Sequence, residues 1–545
     1  MLQRLVCLAA LLASTQPACA ANIDRDLAEA AIPQIHHFYD THRYTITQVV
    51  SWYAARIAKY DGIYQSIETR EIQTALATAA RQDAEKARSP RLPLWGIPIV
   101  IKANTSIKGQ VTTDGWSGFT LPGHQLIASK DATVVDKLQA AGAIIIGITN
   151  LPDFAASDTS RSTSFGRTGN AYDVRFSPGG SSGGTVTAVT ANFAAFGTGT
   201  DTSNSIRMPS STSSVVGVLP TRGLVSIAGI APLDWLLDNT GPIARNVTDA
   251  AIALGVMAGE DPADFRTKGS ASSAQPGPYT QYLKKDSLKG KRFGVPAFII
   301  DPASSTRGAL QPETRALFMK AVDDLRAAGA TVVIDDAILP AAFQQTIGKI
   351  NTRPYRLAGT NAFLEQYGPP EYHSAADYER VVGSPLPPTI TGLPRPAGTT
   401  PQPTSNRPPQ VPVPQVALET DPNADTNFFE PQRQALALYN EALEHFHLDG
   451  FVYPAAQMPP PDETMPQNGQ LSSGPHSATG WVNRIGVPSV VVPGGFYKQG
   501  LPFGLELSAA RWKDGDLLGC AYAYEQATLH RRPPVLVEKG LLPHY

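Results

Sequence analysis

Residues 177–209 read S-P-G-G-S-S-G-G-T-V-T-A-V-T-A-N-F-A-A-F-G-T-G-T-D-T-S-N-S-I-R-M-P. Two serine clusters stand in this stretch: Ser181 and Ser182 inside a frame of four glycines, and Ser205 ahead of Ile206 and Arg207. The glycine frame has no Cβ atoms, so the chain there can turn sharply and admit other groups close to its backbone. The small residues of 185–195 suit a tightly packed helix, and residues 196–200 read as a short buried strand ending in a turn. Ser205 falls just past that turn, at or near the start of a short helix. The backbone N–H groups of Thr202, Ser203, Asn204 and Ser205 converge there, in a pattern suited to stabilising an oxyanion. A flexible linker is the plain alternative for G-G-S-S-G-G, but linkers are not followed by an apolar run and a second turn.

Upstream, residues 94–101 form a β-rich run that ends in Lys102. Taken alone, a lysine at a strand end is a solvated edge charge. Together, G-I-P-I-V-I-K at 96–102, G-G-S-S-G-G at 179–184 and G-T-D-T-S-N-S-I-R at 199–207 make a chain that resembles the amidase signature family. Ser181 and Ser205 are 24 residues apart, as in that family, and the resemblance runs over residues 25–535. It implies an α/β fold, a mixed, mostly parallel twisted sheet covered by helices on both faces, and a hydrolase of carboxamide C–N bonds.

The resemblance also assigns roles. Lys102 is implied to be buried, with a lowered proton affinity that makes it a neutral base. Ser181, across a cis peptide bond, passes protons to it, and Ser205 is the nucleophile that forms an acyl-enzyme. The N–H groups of Thr202, Ser203, Asn204 and Ser205 form the oxyanion hole, and Ser182, Asp201 and Arg207 support the site. No metal and no organic cofactor are implied. Two positions depart from the family pattern: Ala103 stands where aspartate is usual, and Ser203-Asn204 where Gly-Gly is usual. If the second of these needs a positive φ, asparagine tolerates it better than most residues. The departures motivate an alternative reading, a catalytically weak or inactive binding protein on the amidase fold. G-G-S-S-G also satisfies the nucleophile elbow of α/β-hydrolases, which requires a buried strand directly before it. Residues 172–178, Y-D-V-R-F-S-P, are poor strand material.

Elsewhere, Arg4, the apolar run 5–13 and A-C-A at 18–20 read as a secretory signal peptide over residues 1–20, cut after Ala20. The mature protein is therefore expected to be periplasmic or secreted, and Cys520 is then its one cysteine. The formal net charge of −2, without a long charge block, gives no sign of a nucleic-acid or anionic-membrane partner. The expected partners are a small-molecule or peptide amide substrate, with no stable membrane insertion and a monomer or homodimer as the assembly. A tRNA-linked amidotransferase subunit belongs to the same family, but the signal peptide argues against it.

Residues 21–90 are expected to form an N-terminal helical cover, with helices over 46–59, capped by Thr45, and over 71–86. Residues 91–545 form the amidase signature domain. Within it, residues 131–141 place Val134, Val135 and Leu138 on one helix face ahead of a Gly142 C-cap. Residues 293–300, 312–328 and 331–335 read as strand, helix and strand. The stretch 384–414 holds 11 prolines and reads as an extended insertion without sheet or helix. Thr163, Ser164 and Gly166 are candidates for pocket lining. Trp116, Phe119 and Trp235 are read as core packing or an apolar pocket wall, and His476 as a loop or pocket residue.

Overall fold

The computed structural model describes residues 23–85, 92–300, 310–394, 413–466, 471–535 and 539. The signal peptide expected over 1–20, and residues 395–412 of the proline-rich insertion, lie outside the described residues.

Among the described residues, eleven strands form one large sheet. In chain order they are β1 (Ile67–Arg70), β2 (Pro98–Lys102), β3 (Ile144–Thr149), β4 (Phe196–Asp201), β5 (Val216–Leu219), β6 (Asn239–Ala244), β7 (Arg292–Pro296), β8 (Thr331–Asp335), β9 (Gly450–Pro454), β10 (Ser489–Phe496) and β11 (Pro502–Ala509). Side by side they run β1-β3-β2-β4-β6-β5-β10-β11-β9-β7-β8. The blocks β3-β2-β4 and β9-β7-β8 pair in parallel. The other six ladders are antiparallel. The mixed sheet flanked by helices is thus as the sequence implied, with parallel pairing gathered in two three-stranded blocks. Between them, chain returns such as residues 497–501, joining β10 to β11, are too short for a parallel crossover and give hairpin pairing instead.

The strands nearest the serine stretch are sealed on both faces. Every residue of β2, β4, β5 and β6 is buried, as in strands covered on both faces. The helix Gly183–Thr190 packs against this part of the sheet with all eight residues buried, its small side chains allowing close approach. Residues 133–140 form the expected helix, with Val134, Val135 and Leu138 buried and Gly142 at φ +94 just after it. Pro312–Ala327 connects the parallel pair β7 and β8, the strand–helix–strand unit read from sequence, except that the first strand ends at Pro296 and Ala297–Ile300 is a helical turn.

The N-terminal segment is not helical throughout. Ile32–Asp40, Ile46–Tyr64 and Ile72–Ala84 are helices, and the second begins with a capping box in which Thr45 Oγ1 accepts from Gln48 N–H and Gln48 Oε1 from Thr45 N–H. Between the second and third lies β1, which pairs antiparallel with β3 and closes one edge of the sheet. Val49, Val50, Tyr53 and Ile57 belong to the same apolar core as Ile99, Ile101 and Ile144, so the segment is built into the domain rather than laid over it. The proline-rich stretch is not wholly extended either: Pro388–Thr391 forms one short helical turn with proline in its first turn, where a missing N–H costs nothing. Among the described residues no helix is long and apolar enough to cross a membrane.

Candidate active site

Lys102 closes β2, which runs between its parallel neighbours β3 and β4, and its side chain is fully buried. The amine Nζ lies 2.7 Å from Ser181 Oγ, 3.0 Å from Ser182 Oγ and 2.8 Å from Thr200 Oγ1. Thr200 comes from β4, where the two-residue period turns Thr198 and Thr200 to the same side. Thr198 Oγ1 accepts from Lys102 N–H at 3.2 Å, and Thr200 Oγ1 also accepts from Asn104 Nδ2 at 3.0 Å. Burial lowers the lysine pKa from its ordinary 10.5 to about 7, against the opposing pull of Asp114, Asp201 and Asp238.

Ser181 and Ser182 are held by a loop with little spare room. The Gly180–Ser181 peptide bond is cis. At Gly184 a Cβ would collide with the backbone of Asn150 and Ser66, which explains a glycine in this turn of helix. Ser182 N–H donates to the carbonyl of Ser205 at 3.2 Å, joining the two serine clusters. No strand precedes Ser181 over residues 172–180, so the elbow geometry of an α/β-hydrolase is absent there.

Beyond β4 the chain turns through residues 202–206 into the helix Arg207–Thr212. Asp201 holds this turn together. Its Oδ2 accepts from Ile206 N–H at 3.1 Å and Arg207 Nε at 3.1 Å, and its Oδ1 from Arg207 Nη2 at 3.2 Å. Arg207 also donates to the Ser203 carbonyl and, through Nη1, to Glu506 Oε1 at 2.7 Å and Thr479 Oγ1 at 2.9 Å. Burial opposes the guanidinium charge, but Asp201 and Glu506 outweigh it and hold its pKa above the usual arginine value. With carbonyls and side chains committed in this way, none of the N–H groups of Thr202, Ser203, Asn204 and Ser205 is hydrogen-bonded to a described protein group. Neither Ser203 nor Asn204 has a positive φ, so the turn does not demand glycine for backbone reasons.

Thr202, Ser203, Asn204 and Ser205 line a cavity of about 740 Å³. One wall is apolar, with Phe298, Phe343, Ile347 and Trp481, and the rest carries Asp158, Arg353, Arg356 and Arg484 among other residues. Lys102 and Ser181 do not line the cavity and are fully buried, while Ser205 is 6% exposed. The arrangement is a hydroxyl at a cavity, with unused N–H donors around it and a neutral-prone amine one serine further in.

The profile of the family described as Amidase matches residues 48–353. The chain is 31% identical over 533 residues to the A subunit of glutamyl-tRNA(Gln) amidotransferase from Thermosynechococcus vestitus, covering 93% of this chain and 100% of that one. This chain belongs to the Amidase family. A second relative, the corresponding protein of Moorella thermoacetica, is 32% identical over 510 residues, covering 88% of this chain and 93% of that one. Among solved structures, native peptide amidase from Stenotrophomonas maltophilia superposes with a TM-score of 0.73 at 30% identity, covering 93% of this chain and 98% of that chain. As a member of the Amidase family the protein is a hydrolase of carbon–nitrogen amide bonds.

The Amidase signature residues read from sequence, Lys102, Ser181, Ser182, Asp201, Ser205 and Arg207, are thus gathered in one place. Ala103 belongs to a small apolar cluster with Ile148, Leu151 and Ala155. Its carbonyl accepts from Asp114 N–H at 3.1 Å, and the buried Asp114 carboxyl acts electrostatically on Lys102. Burial pushes the Asp114 pKa well above the ordinary carboxyl range, with Lys102 pulling it down. One expectation is corrected and two open ones are decided. Thr163 does not line the cavity: its N–H and hydroxyl are spent on Asp153, and Ala155, Ser157 and Asp158 take the place expected for Thr163, Ser164 and Gly166. Trp116 and Phe119 pack with Phe154 and Tyr378 in the core, and Trp235 donates to the Tyr355 carbonyl, so the aromatic wall comes from Phe298, Phe343 and Trp481 instead. His476, one position before the cavity-lining Ser477, sits in a hydrogen-bond chain, with Nδ1 3.0 Å from Asp158 Oδ2 and Nε2 3.0 Å from Ser473 Oγ.

Thr200 and Asn104 escaped the sequence reading, although the alternation of G-T-G-T-D could have marked the threonine. Glu506 carried no local signal, since it lies 299 residues from the arginine it meets.

Proposed function

We propose that the protein is an exported amidase that cleaves small-molecule or peptide carboxamides through a Ser205–Ser181–Lys102 relay and a covalent acyl-enzyme. The observation that carries this reading is the 2.7 Å contact between Lys102 Nζ and Ser181 Oγ inside a buried ring of hydroxyls. A neutral lysine amine has two N–H donors and one lone pair. Ser182 Oγ and Thr200 Oγ1 can take the two donors, which leaves the lone pair for the proton of Ser181.

In this mechanism Lys102 draws the Ser181 proton, Ser181 Oγ draws that of Ser205, and Ser205 Oγ adds to the substrate carbonyl. The negative charge that develops on the carbonyl oxygen is met by N–H groups from residues 202–205, which need no reorganisation to receive it. Ser181 then returns the proton to the departing amine. Water enters along the same path, and its attack on the ester regenerates Ser205. The apolar wall of Phe298, Phe343, Ile347 and Trp481 suits an acyl group larger than a simple acetamide.

The A-C-A site at 18–20 supports delivery to the periplasm or the medium, which Edman sequencing of the mature protein tests by a start at Ala21. The relay is tested by labelling the mature protein with a fluorophosphonate and locating the adduct by peptide mass spectrometry. An adduct on Ser205, lost in Ser205→Ala and Lys102→Ala, is the expected result, and labelling confined to Ser181 would sink it.

A second reading is favoured by the names of the relatives: a subunit of an amidotransferase, active together with partner proteins. It predicts amide cleavage only when partner proteins are added, whereas the exported amidase turns over aryl or peptide amides alone, as a monomer or homodimer.

A further inference from the structure

Asn204 stands directly before Ser205, and its side chain reaches the loop 157–160. Its Nδ2 donates to Asp158 Oδ1 at 3.3 Å, while Asp158 Oδ2 pairs with His476 Nδ1 at 3.0 Å and His476 Nε2 meets Ser473 Oγ at 3.0 Å. Three separate chain segments are joined by these contacts: the turn after β4, the loop 157–160, and the loop 472–477. The middle loop is itself fixed to its neighbours. Ser160 Oγ donates to the Gly179 carbonyl at 3.0 Å, in the loop that carries Ser181. On the other side Gly474, at φ +96, packs so closely on the Asp158 backbone that a Cβ there would collide with it. Asp158 is thus a carboxylate on a braced loop, 12% exposed at its side chain, and its two oxygens tie the cavity-lining Asn204 to His476.

We infer that Asp158 is a positioning residue for the oxyanion turn: the bridge Asn204–Asp158–His476 fixes the side chain of the residue before Ser205 and so keeps the N–H groups of 202–205 facing the cavity. The argument is one of constraint. Residues 202–205 lie outside any strand or helix, and their N–H groups make no hydrogen bond to a described protein group that would hold their direction. Asp201 and Arg207 fix the two ends of the turn, and the Thr202 hydroxyl donates to Asp238 near its start. The carbonyls of Ser203, Asn204 and Ser205 accept from Arg207, from Met208 N–H and from Ser182 N–H, and the amide side chain of Asn204 adds a tie from this turn to the loop 157–160. A glycine at 204 would have no such handle. Asp158 and Asn204 therefore act as a pair, with a donor on one element and an acceptor on the other. A reacting group out of place by about 1 Å costs on the order of 100-fold in rate at such sites, so a mobile turn would be felt in the chemical step.

This rests on Ser205 being the nucleophile, and two measurements keep the two ideas apart. The first needs no reaction: hydrogen exchange of the peptides spanning 202–206, followed by mass spectrometry in the full mature chain. Faster exchange there in Asp158→Ala and in Asn204→Ala, with the sheet strands unchanged, is expected; unchanged exchange overturns the inference whatever the protein catalyses. The second is the rate of fluorophosphonate attachment to Ser205. In Asp158→Ala the maximal inactivation rate should fall roughly 10- to 100-fold with the half-saturating probe concentration within about twofold. A change confined to that concentration would make Asp158 a mere probe contact and overturn the inference. Asp158→Asn should recover most of the rate, because its carbonyl still accepts from Asn204 and its amide remains within reach of His476 Nδ1. Loss equal to that of Asp158→Ala would count against the bridge. Combining Asp158→Ala with Asn204→Ala should cost little beyond either alone, and additive losses would show two unconnected residues. If Asp158→Ala does not fold, Asn204→Ala and His476→Ala carry both measurements. A wild-type protein that is not labelled on Ser205 defeats the relay and leaves the exchange result to decide the inference.

Discussion

Arg207 and Asp201 face each other through two parallel hydrogen bonds, Nε to Oδ2 at 3.1 Å and Nη2 to Oδ1 at 3.2 Å, and both side chains are wholly buried. Six residues apart in sequence, they clasp the base of the turn that presents Ser205. The same guanidinium reaches Glu506 on β11, so two carboxylates share one cation. Removing that cation strands two buried charges, and removal of one partner from such a group costs about 3–5 kcal/mol. Arg207→Met should lower the unfolding free energy in urea by that order, and Arg207→Lys by a smaller amount, because an ammonium cannot make the bidentate contact. A shift under about 1 kcal/mol would show the clasp to be energetically idle.

Lys102 gives a pH signature of its own. The amine must be uncharged to act as the base, so kcat/KM should rise with pH through a midpoint near its pKa of about 7. Stability moves the same way. Between about 7 and the ordinary 10.5 the unfolded chain holds a proton that the folded protein has released, so stability increases with pH across that window. Lys102→Met removes the term. It should be inactive, more stable than wild type at pH 7 and below, and no longer ahead as the pH approaches 10. Melting temperatures of the two proteins across that range check the sign.

Asp114 lies on the other side of this balance. Its charge raises the proton affinity of Lys102. Asp114→Asn should therefore move the acid limb of kcat/KM to lower pH. A limb that stays in place would mean that Asp114 is protonated throughout and exerts no field on the lysine.

Ser205→Ala should abolish amide turnover, by roughly 10⁴-fold or more, while leaving the melting temperature near that of wild type. The side chain removed is one hydroxyl at the cavity surface.

Gly184→Ala probes the crowding around the buried serines. The new methyl group would meet the Asn150 and Ser66 backbone, which cannot give way as a side chain would. Overpacking of this kind costs about 1–3 kcal/mol. Denaturant unfolding should show a loss in that range, and a neutral result would mean that the loop can shift.

Much of this was legible in the chain. The serine stretch, the lysine strand and the arginine announce themselves because their chemistry is local: glycine frames, a β-rich run, a turn before a helix. The helix 133–140 and the unit from β7 to β8 were readable for the same reason. What the sequence did not reveal is contact across distance. Nothing near Glu506 marks it as the partner of Arg207, and nothing near Asp158 marks it as the acceptor for Asn204. Strand direction is of this kind too, since β5, β10 and β11 pair according to how distant segments return. The aromatic residues illustrate the limit from the other side. Trp116 and Phe298 look equally suited to a pocket, and only packing decides that the first is enclosed by Phe119, Phe154 and Tyr378 while the second lines the cavity.

The tie between Arg207 and Glu506 also sets a timetable for the chain. Lys102, Ser181 and Ser205 have all been synthesised long before residue 506 appears, and β5 must wait for β10, some 270 residues later, to gain its second neighbour. Contacts so remote in sequence form late in folding. A polypeptide that stops near residue 353, although it contains every residue of the relay, has neither Thr479 nor Glu506 to close the turn. Catalytic competence is therefore expected only when the C-terminal third has folded back, which would keep an immature chain chemically silent until it is complete.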